Sequence, residues 1–151
     1  MMNAIKVLTV LLVIIAAAGC GEKVEQKVVD DDQLIELDGL QYEVNSEEPF
    51  TGKAVLYWPN GQKSMESEFR DGKEHGKFNC WNENGQKMDE FEYCDGKLMK
   101  WFSWYESGQK KRELEVHDNG VVSKKCWDKH GNHIDCEELW KKENEPEIRA
   151  Y

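Results

Sequence analysis

The sequence predicts an all-β protein, an elongated antiparallel meander of repeated β-hairpins, on three observations. One stretch, Tyr57-Trp58-Pro59-Asn60-Gly61-Gln62-Lys63, returns in worn form as Trp81-Asn82-Glu83-Asn84-Gly85-Gln86-Lys87, Trp104-Tyr105-Glu106-Ser107-Gly108-Gln109-Lys110 and Trp127-Asp128-Lys129-His130-Gly131-Asn132-His133. The glycines of these copies lie 24, 23 and 23 residues apart, a spacing typical of stacked repeats. Between them fall the turn dipeptides Asp71-Gly72, Asp95-Gly96 and Asn119-Gly120, which cut each repeat into two strands.

The chain begins with a segment that does not belong to this sheet. Lys6 precedes a run from Val7 to Ala18 that is apolar except for Thr9, too short for a permanent membrane span, and Ala17-Ala18-Gly19 places small side chains before Cys20. Residues 1–19 therefore read as a cleaved signal peptide. The segment resembles the lipobox leaders of bacterial lipoproteins, with Ala17 where that family more often has leucine. The resemblance implies that Cys20 carries the lipid and becomes the new amino terminus. Two or three acyl chains hold far more firmly than one, which places the protein on the membrane, outside the cytoplasm, and on the outer membrane in a Gram-negative cell.

Residues 20–33 are expected to be a flexible tether, since Gly21 to Asp32 is rich in Glu, Lys, Gln, Val and Asp and holds no aromatic residue. Residues 34–139 form the expected hairpin domain and 140–151 a charged tail. Leu34 to Leu37 reads as a strand, Asp38-Gly39 as a turn, and Leu40 to Val44 as a half-buried strand with alternating polarity. Asn45 to Pro49 is a loop, and Phe50-Thr51-Gly52 leads into the repeats.

Within the repeats, Tyr57, Trp81, Trp104 and Trp127 each stand four residues before the glycine and are expected to form one row. Glu66, Glu90 and Glu113 follow the glycine by five residues, and Glu68, Glu92, Glu115 and Glu138 by seven. An offset of two keeps these carboxylates on one side of the strand. Phe91 and Leu114, then Phe69, Tyr93, Val116 and Leu139, fall on the other. The expected sheet has an aromatic and aliphatic side and a carboxylate side. Trp81 and Trp104 are expected in the core, whereas Trp58, Trp101 and Tyr105 point the other way and are the candidate binding residues.

The units resemble the MORN repeat variant of bacterial proteins often labelled YwqK-family antitoxins, an aromatic strand, Asn-Gly-Gln-Lys, glutamates, an aromatic and Asp-Gly-Lys. Tyr57 to Lys73 and Trp81 to Lys97 carry the match, Trp104 to Gly120 more loosely, and the resemblance spans 38 to about 138. Lys100, Gly120-Val121-Val122 and Lys124 depart from the pattern. The resemblance implies a non-catalytic protein- or glycan-binding scaffold, or an antitoxin or immunity protein that neutralises a toxin.

Candidate chemistry is sparse. Cys126 and Cys136 lie five residues either side of Gly131, opposite one another across the last hairpin within one residue of register, which suits a disulfide. Cys80 and Cys126 occupy like positions two hairpins apart, about 19 Å, too far to bond. His130 and His133 lie between the last two cysteines, so a zinc site is the competing reading there, although an oxidising compartment favours the bond. A carboxylate pair that recurs in every repeat is a solvated face more than a catalytic dyad, and no phosphate loop, dinucleotide fingerprint or Ser, His and Asp arrangement is found. No enzyme, cofactor or metal is expected. The net charge of −10, −11 without the leader, argues against nucleic acid and suits a basic protein partner.

Overall fold

A computed structural model describes residues 27–118 and 120–144. The leader, Cys20 and residues 21–26 lie outside the described residues, as do Asn119 and residues 145–151. In chain order the strands are β1 (Val28–Asp30), β2 (Leu34–Leu37), β3 (Leu40–Glu43), β4 (Gly52–Tyr57), β5 (Lys63–Arg70), β6 (Lys73–Trp81), β7 (Lys87–Cys94), β8 (Lys97–Trp104), β9 (Lys110–His117), β10 (Gly120–Trp127) and β11 (His133–Ile134). They are followed by a helix, α1 (Cys136–Asn144). Strands β4 to β11 pair in sequence order, each antiparallel to the last, and β1 adds to β4 in parallel to complete a nine-stranded sheet. The expected hairpin meander is the observed fold.

Two turn types alternate along its edges. Asp71 and Gly72 have φ of 50° and 77°, and Asp95 and Gly96 have 50° and 80°, the paired positive values of a two-residue hairpin turn whose twist matches the strands. At the opposite edge, the Gly61 N–H donates to the Trp58 carbonyl (2.8 Å) and the Trp58 N–H donates to the Gln62 carbonyl (2.7 Å). The same two bonds recur at Asn82, Tyr105 and Asp128. These are three-residue loops closed by a glycine bulge, and the four copies of the sequence motif are four copies of that geometry.

The ends of the sheet depart from expectation. Val28–Asp30, assigned to the tether, is a strand, because Val29 fills a buried site beside Phe50, Ala54 and Phe69. Order therefore begins before residue 33. β2 and β3 form their own two-stranded sheet, which lies over the Asp71-Gly72 turn: the Gln41 N–H donates to the Gly72 carbonyl (2.8 Å), and the Gly72 N–H donates to the Phe50 carbonyl (2.9 Å). At the other end, β11 stops after two residues and α1 replaces the expected strand. Glu138 and Leu139 thus leave the repeat pattern, and the expected boundary at 139/140 falls inside a helix. Asp135 starts that helix, its carboxylate accepting the Glu137 N–H at 2.7 Å, with Glu137 and Glu138 in the first turn where the helix dipole favours them.

The packing at Gly72 makes a test. An added Cβ there would lie 2.9 Å from the Leu40 Cβ and 3.1 Å from both the Gln41 oxygen and the Pro49 Cβ, whereas Gly96, in the same turn type, has nothing nearer than 4.0 Å. Gly96→Ala should cost about 1 kcal/mol from the left-handed backbone alone. Gly72→Ala should cost at least about 1 kcal/mol more, because it also lifts β3 from the turn. Equal midpoints in urea for the two variants would show that β3 does not bear on the turn.

Candidate functional site

The two faces of the sheet are built differently, and the division is not the expected one. Tyr57 pairs with Lys63, Trp81 with Lys87, Trp104 with Lys110 and Trp127 with His133. Each lysine reaches to the aromatic of the next repeat: Lys63 Nζ lies 5.5 Å from the Trp81 ring, Lys87 6.0 Å from Trp104 and Lys110 5.7 Å from Trp127. The same lysines pair with Glu66, Glu90 and Glu113. So the aromatic row shares its face with the carboxylates, in a ladder of ring, ammonium and carboxylate. The cause is one extra residue just after each of the first three loops, Ser64, Met88 and Lys111, seen as register shifts at Leu56/Tyr57, Cys80/Trp81 and Ser103/Trp104. Trp81 and Trp104 are consequently half-buried, not core.

This ladder is electrostatically closed. Burial alone raises the Glu66 and Glu90 carboxyls, but Lys63 and Lys53 beside the first, and Lys77 and Lys87 beside the second, outweigh it and hold both below the ordinary 4.5. A carboxylate depressed in the folded state stabilises the fold above its ordinary value, and that contribution is lost as pH falls through the lower, folded value. Thermal midpoints should therefore drop below about pH 4.5, and Glu66→Gln with Glu90→Gln should flatten that drop. An unchanged slope in the double variant would remove the ladder from the pH response.

At the loop edge, side chains tie each turn to the next. Trp58 Nε1 donates to the Trp81 carbonyl (3.0 Å), the Tyr105 hydroxyl donates to the Trp127 carbonyl (2.8 Å), and Lys111 Nζ stands 5.4 Å from the Tyr105 ring. Gln62 lies against Gly85 and Gln109 against Gly131, where an added Cβ would sit 2.9 and 3.2 Å from the amide. Two of the three expected binding residues, Trp58 and Tyr105, thus hold neighbouring repeats together and are half-buried.

The third, Trp101, occupies the opposite face. Phe78, Phe91 and Trp101 stack across β6, β7 and β8 with centroids 5.5 and 5.7 Å apart, and Trp101 Nε1 donates to Asp89 at 2.8 Å. The Arg112 guanidinium covers the outer face of Trp101 at 4.5 Å and reaches Glu143 of α1 at 3.0 Å, which Lys111 also pairs. Helix α1 is seated on this face by buried Leu139 and by the Cys126–Cys136 disulfide, with Cα atoms 5.2 Å apart. The bond joins a strand to a helix start, because Cys126 pairs in register with Ile134 and the chain turns into α1 at Cys136. With both sulfurs so engaged, and His133 set against the Trp127 ring (5.1 Å), the alternative zinc set does not assemble.

Between α1 and β8 to β10 lies an open cleft of about 790 Å³. Its walls are Trp101, Leu114, Val121 and Trp140, with Val121 and Trp140 57% and 62% exposed. Lys124 and Lys141 stand at its rim and make no ion pair among the described residues. Charge is thus unevenly placed. Residues 28–52 hold eight carboxylates and no lysine or arginine, while the cleft gathers three cations, Arg112, Lys124 and Lys141, against Glu137 and Glu143.

Two other constellations carry less. His75 is 2% exposed, with Nδ1 3.1 Å from the Asp95 carboxylate that Arg70 also binds. Cys94 adjoins this pair, whose Asp95 carboxylate is already held by Arg70. Cys80 is a free thiol whose ionisation burial and then Asp89 both oppose. No family model, curated protein or solved structure matches the chain.

Sequence reasoning placed Trp101 among the binding residues but missed Val121, Trp140 and the lysines. The signal was present: Asp135-Cys136-Glu137-Glu138 has the spacing of a helix start, with an acidic residue three after the cap.

Proposed function

We propose that the protein is a non-catalytic binding module of the bacterial cell envelope, anchored outside the cytoplasm through a lipid on Cys20, whose working surface is the cleft beneath α1. The observation that carries this reading is the contrast between faces. On the ladder face the rings of Trp81, Trp104 and Trp127 are capped by ammonium groups and each glutamate of the Glu66, Glu90 and Glu113 row is paired, whereas the cleft presents apolar side chains to solvent together with Lys124 and Lys141, which have no ion pair among the described residues. Pockets of this size and lining are the usual places for recognition. Catalysis is not invoked, since His75 is buried against Asp95 and the ladder carboxylates are neutralised by lysines.

The anchoring half is tested by Cys20→Ala, which should leave an uncleaved precursor or release the protein from membranes; normal processing and fractionation would overturn it. The binding half is tested by a photo-crosslinking residue at Val121, with Met88, an exposed apolar residue on β7, as control. A discrete adduct at Val121 and none at Met88, in whole cells, supports the cleft. Identical products at both positions, or none at Val121, would overturn it.

A further inference from the structure

We infer that the ligand of this cleft is a small amphipathic anion, with an apolar ring or chain and a single acidic head. The inference rests on the reading of the cleft as a binding site and narrows what occupies it. The wall chemistry comes first. Trp101, Leu114, Val121 and Trp140 bring apolar surface to one concavity, and Trp101 spends its only donor on Asp89, so the wall that it forms offers no hydrogen bond to a polar ligand body. An aliphatic or aromatic body finds contact area there.

The rim decides the charge of the head. In this acidic chain most lysines and arginines of the sheet are already matched: Lys53, Lys63, Lys77, Lys87, Lys100 and Lys110 to glutamates of the ladder, and Lys97 and Arg70 to aspartates. Among the described residues Lys124 and Lys141 are not, and both line the same cleft from different elements, β10 and α1. Of the two carboxylates that line the cleft among the described residues, Glu143 is held by Lys111 and Arg112, which leaves Glu137 facing two ammoniums. An anion gains from that balance and a cation loses. Departure from the repeat pattern points the same way, since Lys124 and Val121 stand on β10 where the other repeats have different residues.

The test uses the purified protein with its Cys126–Cys136 bond intact and three probes of equal chain length, dodecanoate, dodecanol and dodecyltrimethylammonium, titrated below their micellar concentrations by calorimetry and tryptophan fluorescence. Dodecanoate should bind at one per chain, about tenfold or more tighter than dodecyltrimethylammonium, with dodecanol between them. Lys124→Gln with Lys141→Gln, both exposed positions, should weaken dodecanoate about tenfold and leave dodecanol within about twofold. Val121→Glu should weaken all three. No dodecanoate binding, equal affinity for the anionic and cationic probes, or indifference to the lysine substitutions would overturn the inference. A protein adduct from the Val121 cross-linker together with no dodecanoate binding would overturn the ligand class alone and leave the binding module standing.

Discussion

Phe50→Ala is expected to be the most damaging single substitution in the sheet, at about 3 to 5 kcal/mol. Phe50 is 3% exposed and packs with Phe69 (centroids 5.9 Å apart), Val29 and Ala54 in the buried cluster at the N-terminal end. Its backbone also links the pieces: the Phe50 N–H donates to the Gln41 carbonyl and its carbonyl accepts from Gly72. Truncation opens a cavity that β1, three residues long, cannot collapse to fill. A loss of this size is comparable to the whole margin of a small domain, so the variant should unfold at markedly lower urea concentration, with β1 and the β2–β3 hairpin exchanging amide protons first. Phe91→Ala, by contrast, removes a half-buried ring from the middle of the Phe78 and Trp101 stack and should cost about 2 kcal/mol. A smaller loss at Phe50 than at Phe91 would place the core in the wrong part of the molecule.

Replacing both Cys126 and Cys136 by serine is expected to cost about 2.5 kcal/mol, the loop-closure contribution of a bond spanning ten residues. The effect should be local before it is global. Leu139 and the Glu143 pairs also hold α1 to the sheet, but a nine-residue helix is not stable alone in water. The double serine variant should therefore lose helical signal and expose Leu114 and Trp101 to a hydrophobic dye at temperatures where the sheet is still folded. An unchanged melting curve with α1 amides still protected would show that side-chain packing alone holds the helix.

The repeat architecture was legible because its signals are local and recur: positive-φ dipeptides mark one edge, the Asn-Gly-Gln-Lys loops mark the other, and strand length follows from the interval between them. The facing of the aromatic row was not legible by counting in twos. The bulge beside each loop adds a residue, so Trp81 and Trp104 fall in with Lys87 and Glu90 although the spacing suggested the opposite side. The division into exposed and buried tryptophans failed for a related reason. A sheet one layer thick leaves both faces half-covered, and Trp58, Trp81, Trp101, Trp104 and Tyr105 are all of intermediate burial. The core at Phe50 escaped notice because it depends on Val29, in a stretch whose composition reads as a tether. For the cleft, Trp101 was visible from the sequence, but Trp140 and Lys141 required the helix at 136–144 to bring them over β9 and β10.

The contact of each loop glutamine with the glycine of the next loop makes the molecule a ruler with fixed graduations. Gly61 and Gly85 are both followed by Gln-Lys, so the 24 residues from Gln62 to Gly85 form an interval that begins and ends in the same chemistry. Adding or removing such an interval changes the sheet by two strands, about 9.5 Å, and preserves the junction of glutamine on glycine at the seam. The span from β4 to β10, six strand spacings or about 29 Å, sets how far the cleft stands from the end of the sheet where β1 pairs with β4. Reach, on this plan, is written in the number of repeats and can change without any alteration to what the cleft recognises.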